Sequence, residues 1–229
     1  MIGSIVNVLA IITGSLLGYF MRNGIKEEYK ATIIDGLALS VLIMGIMSTM
    51  KTENFLLVIT SVVIGSIVGE IIGIEKKLDR IGFKLQQRFG KGDSNFSKGF
   101  ITATLVFCIG AMSIVGSIEA GLTGNYKTLF AKSVIDGVTS IIFASSLGIG
   151  VIFSIFPVFI YQGTITILST ILRDVFTPTI INEMSAVGGV LIAGIAINLM
   201  GIKKIRVSNM LPALIVPIIY ILVKGFVGF

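Results

Sequence analysis

The residues of this sequence that could do chemistry are acidic side chains set within or at the edge of long apolar runs. They are Asp35, Glu70, Glu119 and Asp136. A carboxylate in hydrocarbon is costly, and it normally faces a partner, a water-filled cavity or an ion path. The chain has no histidine, one cysteine (Cys108) and no glycine-rich phosphate-binding motif. These features favour binding of a proton, a sodium ion or a cationic substrate, and we expect neither an enzyme nor a bound cofactor.

Polar and small residues in other apolar runs extend the candidate site. The residues that we predict to contact an ion or substrate are Glu119, Asp136, Asp35, Ser117, Gly116, Ser15, Gly14, Asn7 and Asn198. Asp35 and Asp136 could instead be structural, because each opens an apolar run and could lie near a helix N-terminus, where the helix dipole favours an anion. Lys132, four residues before Asp136, could neutralise it. Asn7 and Asn198 could equally join helices by hydrogen bonds.

The other two acids differ in their neighbours. Glu70 is followed by Lys76 and Lys77, which favours ion pairing at the membrane interface over a binding site. Glu119 has no basic residue within one helical turn. We therefore expect Glu119, and not Glu70, to serve the site.

Composition predicts the elements that must position these residues. The chain is 54% hydrophobic and 13% charged, with a mean hydropathy of +1.00, whereas soluble domains carry about 25% charged residues. This predicts an all-α integral membrane protein. Eight apolar runs approach the ~20 residues that cross a bilayer, at 2–21, 31–50, 55–74, 100–120, 130–149, 151–172, 181–200 and 209–228. The fifth and sixth are separated only by glycines near Gly148, so one long broken helix is the alternative.

The distribution of lysine and arginine predicts the orientation. Thirteen of the eighteen basic residues fall in the segments after the first, third and seventh runs. With eight spans these segments share one side, which the positive-inside rule makes cytoplasmic. Both termini are then extracytoplasmic, whereas seven spans would place the last basic segment outside.

The longest connecting segment, 75–99, contains an amphipathic helix of its own. Leu78, Ile81, Leu85 and Phe89 are spaced by three, four and four residues, and lysines and arginines flank them. Such a helix is expected on the anionic inner leaflet. It could sense lipid, dock a partner or simply anchor the topology.

Two segments indicate an internal repeat. TIIDGL at 32–37 resembles SVIDGV at 133–138, and ITGSL at 12–16 resembles IVGSI at 114–118. Within a single membrane domain, these matches predict that residues 1–74 and 100–172 form inverted three-helix repeats, followed by two added helices in 181–228. Glycine–serine patterns also occur simply because they permit close helix packing, and such faces could support a homodimer.

Longer motifs resemble a known family. They read GAMSIVGSIEAGLTGN at 110–125, KSVIDG at 132–137, EMSAVGG at 183–189 and VSNMLPA at 207–213. The whole chain resembles the YqgA/YdfK-like bacterial inner-membrane proteins, which carry a domain of unknown function. The resemblance implies a multi-pass protein of the bacterial inner membrane and no particular substrate. Asn125 stands where we expect an acid in many relatives.

Together these features predict a secondary transporter of a small solute coupled to protons or sodium ions. An inverted repeat supplies the two related conformations that such transporters exchange. The lipid bilayer and the solute are the expected partners, and nucleic acid is not. A passive ion channel lined by the same acids is an alternative, as is a membrane scaffold or sensor that acts through the amphipathic helix.

Overall fold

The computed structural model describes residues 1–22, 27–90 and 95–227. The described elements are α1 (Ile2–Arg22), α2 (Glu27–Thr49), α3 (Phe55–Ile72), α4 (Ile74–Phe89), α5 (Phe96–Cys108), α6 (Ala111–Leu122), α7 (Lys127–Leu147), a first 3₁₀ segment (Ile149–Ser154), α8 (Ile155–Ile167), α9 (Ser169–Leu172), α10 (Pro178–Leu199), a second 3₁₀ segment (Val207–Leu214) and α11 (Val216–Val227). The described residues are helical with short connections and form no strand, as the composition predicts. Parts of the predicted segments, residues 23–26 and 91–94 (with the basic residues Lys26 and Lys91) and Gly228, lie outside the described residues.

The membrane-crossing segments agree with the predicted runs. In the described part of the chain, seven helical segments are long and apolar enough to span a bilayer. An eighth candidate is the pair α5–α6, which is bent by 60° at the break between the two helices. Runs five and six are separate helices, because Gly148 adopts a φ of 85° that ends α7 before the first 3₁₀ segment.

The chain divides into two compact units. The first comprises Met1–Leu37, Leu78–Cys108 and Met112–Thr170, and the second comprises Ala38–Lys77, Ile109–Ala111 and Ile171–Phe229. Each unit combines segments that are distant in sequence. The predicted inverted repeat remains a prediction.

In the first unit, α1 packs along α7 through small residues. A Cβ atom at Gly14 would collide with the carbonyl oxygen of Gly137, and one at Gly18 would collide with the carbonyl oxygen of Ile141. At the start of α1, Gly3 lies against Leu129. The contacts advance together along both helices, so α1 and α7 run in the same direction. Glycine at these positions lets the two backbones touch.

In the second unit, two further pairs of elements pack closely in opposite directions. Gly45 of α2 lies against Gly189 and Ala193 of α10, and Thr49, further along α2, meets the earlier residues Ala186 and Gly189. The second pair is α3 and the second 3₁₀ segment, where Gly65 lies against Ala213 and Gly69 lies against Asn209. At these positions too, the absence of a side chain lets the backbone of the neighbouring element approach closely.

These directions decide how the bent α5–α6 pair should be counted. Suppose that α2 and α3 each cross the membrane and that the amphipathic α4 does not. The number of crossings between α1 and α7 must then be odd for the two helices to run in the same direction, as they do. This is so only when α5 and α6 together make one crossing. A re-entrant α5–α6 loop would make α1 and α7 antiparallel and α2 and α10 parallel, the reverse of what is found. The packing therefore supports eight crossings.

The last two pairs of crossings share a local pattern that the sequence reading did not anticipate. A long helix, α7 or α10, is followed in each case by a 3₁₀ segment and a shorter helix. Pro157 is the third residue of α8, and Pro217 is the second residue of α11. Proline is tolerated in a first turn, where the missing N–H has no partner within the helix. Both 3₁₀ segments thus lead into a proline-started helix.

Candidate functional site

A buried charge pair lies at the contact between α1 and α7. The Nζ atom of Lys132 donates a hydrogen bond to Oδ2 of Asp136 at 2.6 Å, and Nδ2 of Asn7 donates to the same oxygen at 3.0 Å. Only 7% of Lys132, 4% of Asp136 and none of Asn7 is exposed. Burying two charges is tolerable because they are paired and hydrogen-bonded. We call these three residues the charge cluster.

The local sequence explains how the charge cluster forms. Lys132 and Asp136 are four residues apart on α7, so their side chains share one face of the helix. The next residue, Gly137, has Ala10 of α1 beside it. A Cβ atom at Gly137 would lie only 3.3 Å from Ala10, so a side chain there would crowd the helix that carries Asn7.

Polar atoms without a protein hydrogen-bond partner are concentrated in the same unit. Among the described residues, the buried unpaired atoms of the first unit are Ser4 Oγ, Asn7 Oδ1, Ser15 Oγ, Thr104 Oγ1, Ser117 Oγ, Ser140 Oγ, Ser154 Oγ, Gln162 Nε2 and Oε1, and Thr166 Oγ1. In the described part of the second unit only Ser61 Oγ has this property. Buried polar groups cost free energy unless they are hydrogen-bonded. Their concentration in one unit is typical of an interior that binds water, an ion or a polar ligand.

The bent α5–α6 pair packs against α7, the helix that carries Lys132 and Asp136. Cys108 is the last residue of α5, and the ring of the preceding residue, Phe107, stacks on Phe143 of α7 at a centroid distance of 5.9 Å. Beyond the break, Oγ of Ser113 donates to the carbonyl oxygen of Phe107 at 3.1 Å and so satisfies one of the carbonyls that the end of α5 leaves free. Backbone freed in this way inside a membrane needs a protein or water partner.

An open groove of about 550 Å³ adjoins Cys108 on the first unit. Its lining residues are Cys108, Pro157, Ile160, Tyr161, Thr164 and Ile165. The walls are mainly apolar, with the Tyr161 and Thr164 hydroxyls as polar groups. A groove of this volume matches the usual size of small-molecule sites.

The structure brings together part of the predicted site. Asn7 and Asp136 are in direct contact, and Gly14 lies against Gly137, next to Asp136 in sequence. Ser15 and Ser117 are fully buried, and their hydroxyls are among the unpaired atoms. Gly116 packs against Leu129 and Thr128 of α7. The small residues therefore bring α1 and α6 onto α7.

Two predicted acids lie in other surroundings. Glu119 is half-buried, and its Oε2 accepts a hydrogen bond from Oγ1 of Thr128 at 2.7 Å. Asp35 is exposed on α2, and no hydrogen bond or ion pair in the described chain joins it to the charge cluster. Asp35 and Asp136, which lie in similar local sequences, thus occupy different environments, because α2 presents Asp35 outward whereas α7 presents Asp136 towards α1. Their functional roles stay predictions.

Asn198 and Glu70 belong to the second unit, and each has local partners. Asn198 donates to the carbonyl oxygen of Ile205 at 2.8 Å and accepts from its N–H at 2.6 Å, which stabilises the connection after α10. Glu70 is ion-paired, as expected, but with Arg206 and not with the lysines that follow it in sequence, and it also accepts a hydrogen bond from Nδ2 of Asn209. Packing of α3 on the second 3₁₀ segment brings these distant residues together.

The sequence reading missed one buried acid, Glu183, which is 4% exposed on α10. Its carboxylate accepts hydrogen bonds from Oγ1 of Thr52 at 2.5 Å and from the N–H of Glu53 at 3.2 Å. Asn54, just beyond, caps α3 by accepting from the N–H of Leu57. Glu183 therefore anchors the turn between α2 and α3. Its position at the start of an apolar run was the signal that could have identified it.

Comparison with known proteins gives matches over almost the whole chain. Residues 2–222 match the family model described as "Protein of unknown function (DUF554)". An uncharacterized membrane protein of Bacillus subtilis (strain 168), YdfK, is 35% identical over 227 residues, which cover 97% of this chain and 96% of the relative. An uncharacterized protein of Escherichia coli (strain K12), YqgA, is 31% identical over 219 residues, which cover 93% of each chain. No solved structure matches.

Proposed function

The chain belongs to the DUF554 family of proteins of unknown function, and from this premise we propose that it is a secondary transporter of a small solute, coupled to protons or sodium ions. The observation that carries the proposal is the buried charge cluster of Lys132, Asp136 and Asn7. The proposal assigns the chain no enzymatic reaction.

The charge cluster has the chemistry that ion coupling requires. The Asp136 carboxylate is the anionic group, and Lys132 balances its charge within the membrane-spanning region. A coupling cation at Asp136 would compete with Lys132 for the carboxylate oxygens, and the unpaired Oδ1 of Asn7 supplies a further acceptor nearby. Intramembrane ionisable residues commonly mark ion and substrate paths for this reason.

The surroundings of the cluster support movement of a solute past it. Secondary transporters typically bind substrate beside interrupted helices, and α5, which ends at the α5–α6 break, packs against α7 through the stacked rings of Phe107 and Phe143. The groove that Cys108 and Tyr161 help to line is largely apolar, which favours a small solute with few charges. The unpaired hydroxyls Ser117 and Ser140 provide polar contacts in the same unit.

The remaining parts of the proposal concern arrangement in the cell. We place the protein in the bacterial inner membrane with both termini extracytoplasmic, because that orientation puts the basic segments inside. The inverted repeat of residues 1–74 and 100–172 would provide the two conformations needed for alternating access. A homodimer is the last part of the proposed arrangement, although the small-residue faces of α1 and α3 are occupied within one chain.

The test is ion flux in proteoliposomes that contain the purified protein and a trapped pH-sensitive dye. A sodium gradient or a pH gradient is imposed, and candidate solutes are then added. The wild-type protein is expected to give saturable flux above that of empty liposomes, and Asp136→Asn is expected to abolish it. Asp174→Asn makes the same chemical change at an exposed position and serves as the control.

Other outcomes separate the alternatives. Flux that rises linearly with the gradient and never drives a second species uphill indicates a passive channel. The absence of wild-type flux under every gradient and solute removes the transport proposal and favours a scaffold or sensor. Full flux in Asp136→Asn would exclude the charge cluster as the coupling site.

A further inference from the structure

Helix α4 carries three parallel stripes of side chains with different chemistry. The apolar stripe is Leu78, Ile81, Leu85 and Phe89; the basic stripe is Lys77, Arg80, Lys84 and Arg88; and the third stripe is Glu75, Asp79, Gly82 and Gln86. Each basic residue comes directly before a residue of the apolar stripe. Asp79, Gly82 and Gln86 of the third stripe each come directly after one, and Glu75 follows Ile74, which lies one helical turn before Leu78. At 3.6 residues per turn, the basic and third stripes therefore lie on opposite flanks of the apolar stripe.

The third stripe contacts protein at Gly82 and Gln86, whereas Asp79 is exposed. Gly82 is buried with the Ser97 side chain of α5 beside it, and Oε1 of Gln86 accepts a hydrogen bond from Oγ of Ser97 at 3.0 Å. At the end of α4, the Phe89 ring packs against Phe153 at a centroid distance of 5.1 Å. These contacts fix the rotation of α4 about its own axis.

With this rotation, the basic stripe points away from the protein. All four basic side chains are exposed. The apolar stripe beside it is only partly covered, since Ile81 is 49% exposed and Phe89 is 52% exposed. A positive surface and an exposed apolar surface therefore lie side by side on one helix.

The start of α4 places this surface at the end of a membrane-spanning helix. The span α3 ends at Ile72, and Gly73 adopts a left-handed conformation with a φ of 68° that ends it. The next residue, Ile74, begins α4. The chain thus turns out of a candidate span directly into an amphipathic helix.

We infer that α4 is a binding surface for anionic phospholipids of the bilayer that holds the protein. The apolar stripe enters the headgroup–acyl boundary, and the basic stripe attracts the lipid phosphates. Charge complementarity selects this occupant, because four basic residues without an interleaved acid form one stripe. Long basic side chains can also extend along apolar surface while their charges reach the headgroups. A nucleic acid would leave the exposed apolar stripe without a partner.

The experiment uses the absence of tryptophan from the sequence. In the full chain, Ile81→Trp introduces a sole tryptophan in the apolar stripe, and the protein is reconstituted into vesicles of phosphatidylcholine with one fifth phosphatidylglycerol. Either the phosphatidylcholine or the phosphatidylglycerol carries brominated acyl chains, which quench tryptophan at short range. Per brominated lipid, phosphatidylglycerol is expected to quench about threefold more strongly, because basic side chains enrich anionic lipid around them.

Three further variants make the result specific. Ile64→Trp lies within α3 at a position 47% exposed, and the two lipids are expected to quench it equally. Replacing Lys77, Arg80, Lys84 and Arg88 by glutamine in the Ile81→Trp protein should abolish its preference for phosphatidylglycerol. The same replacement of the exposed residues Lys51, Lys127, Lys203 and Lys204 should preserve that preference.

Three results would overturn the inference. They are equal quenching of the Ile81→Trp protein by both lipids, an unchanged preference after the basic stripe is removed, and negligible quenching by either lipid. The last would indicate that α4 is covered by protein, either a second copy or another partner. None of these results depends on transport activity.

Discussion

The ammonium of Lys132 lies 2.6 Å from Oδ2 of Asp136, one helical turn further along α7, and both residues are more than nine-tenths buried. Neither charge could be stable alone at such a position, since an unpaired buried charge costs several kcal/mol. The pair is therefore a single electrostatic unit, to which Asn7 adds a hydrogen bond from α1.

This coupling predicts that the single variants are worse than the double variant. Lys132→Gln and Asp136→Asn should each lower the free energy of unfolding by about 3–5 kcal/mol, because each leaves one buried charge unpaired. The double variant, which carries no charge, should lose less than the sum of the two. Unfolding by SDS titration of mixed micelles measures these free energies, with the exposed Lys127→Gln as the control. Additive losses would show that the two residues do not interact.

The contact between α1 and α7 depends on the absence of a side chain at Gly14. Gly14→Ala puts a methyl group into the carbonyl of Gly137, so we expect a loss of about 1–3 kcal/mol from overpacking. Gly36→Ala is the matched control, because its Cβ would meet nothing within 4 Å. The measurement is the midpoint of thermal unfolding in detergent. Equal midpoints for the two variants would contradict the close packing of these helices.

Counting α5 and α6 as one crossing predicts which side of the membrane each loop faces. A single cysteine at exposed Asn125, after α6, should react from the opposite side to one at exposed Asp79, on α4. Both are placed in a Cys108→Ser background and treated with a membrane-impermeant thiol reagent, in intact cells and in inverted vesicles. Asn125 is expected to be labelled in intact cells and Asp79 in inverted vesicles. A re-entrant α5–α6 pair would leave both positions reacting from the same side.

The buried carboxylate of Glu183 predicts a structural effect at a turn distant in sequence. Glu183→Gln replaces a charged acceptor for Thr52 and the N–H of Glu53 with a neutral one, so stability should fall by about 1–3 kcal/mol. Glu53→Gln, at an exposed side chain, is the control and should be nearly neutral. Unfolding in mixed micelles gives both values. A neutral Glu183→Gln would mean that the turn after α2 is held by its own residues.

Two kinds of site residue could be predicted from the sequence. One kind has its partner on the same helix, and the other is a polar residue type that is unusual within a membrane span. Lys132 could be matched to Asp136 because they are four residues apart on one helix. Asn7 was recognised as a polar residue in an apolar run, but its partner, 129 residues away, was not. The partner of Glu70 was predicted among the lysines that follow it, whereas packing of α3 on the second 3₁₀ segment supplies Arg206.

The sequence by itself determined the class of the protein, the approximate crossings and the amphipathic α4. These follow from run length, composition and a local period, since a bilayer requires about 20 apolar residues per helix. Only the tertiary structure decided which face of each helix is buried. It buries Asp136 and exposes Asp35 although their local sequences match, because burial depends on the neighbouring helix and not on the motif. Glycine contacts between distant segments set that choice of neighbour, and a single sequence does not specify which glycines meet.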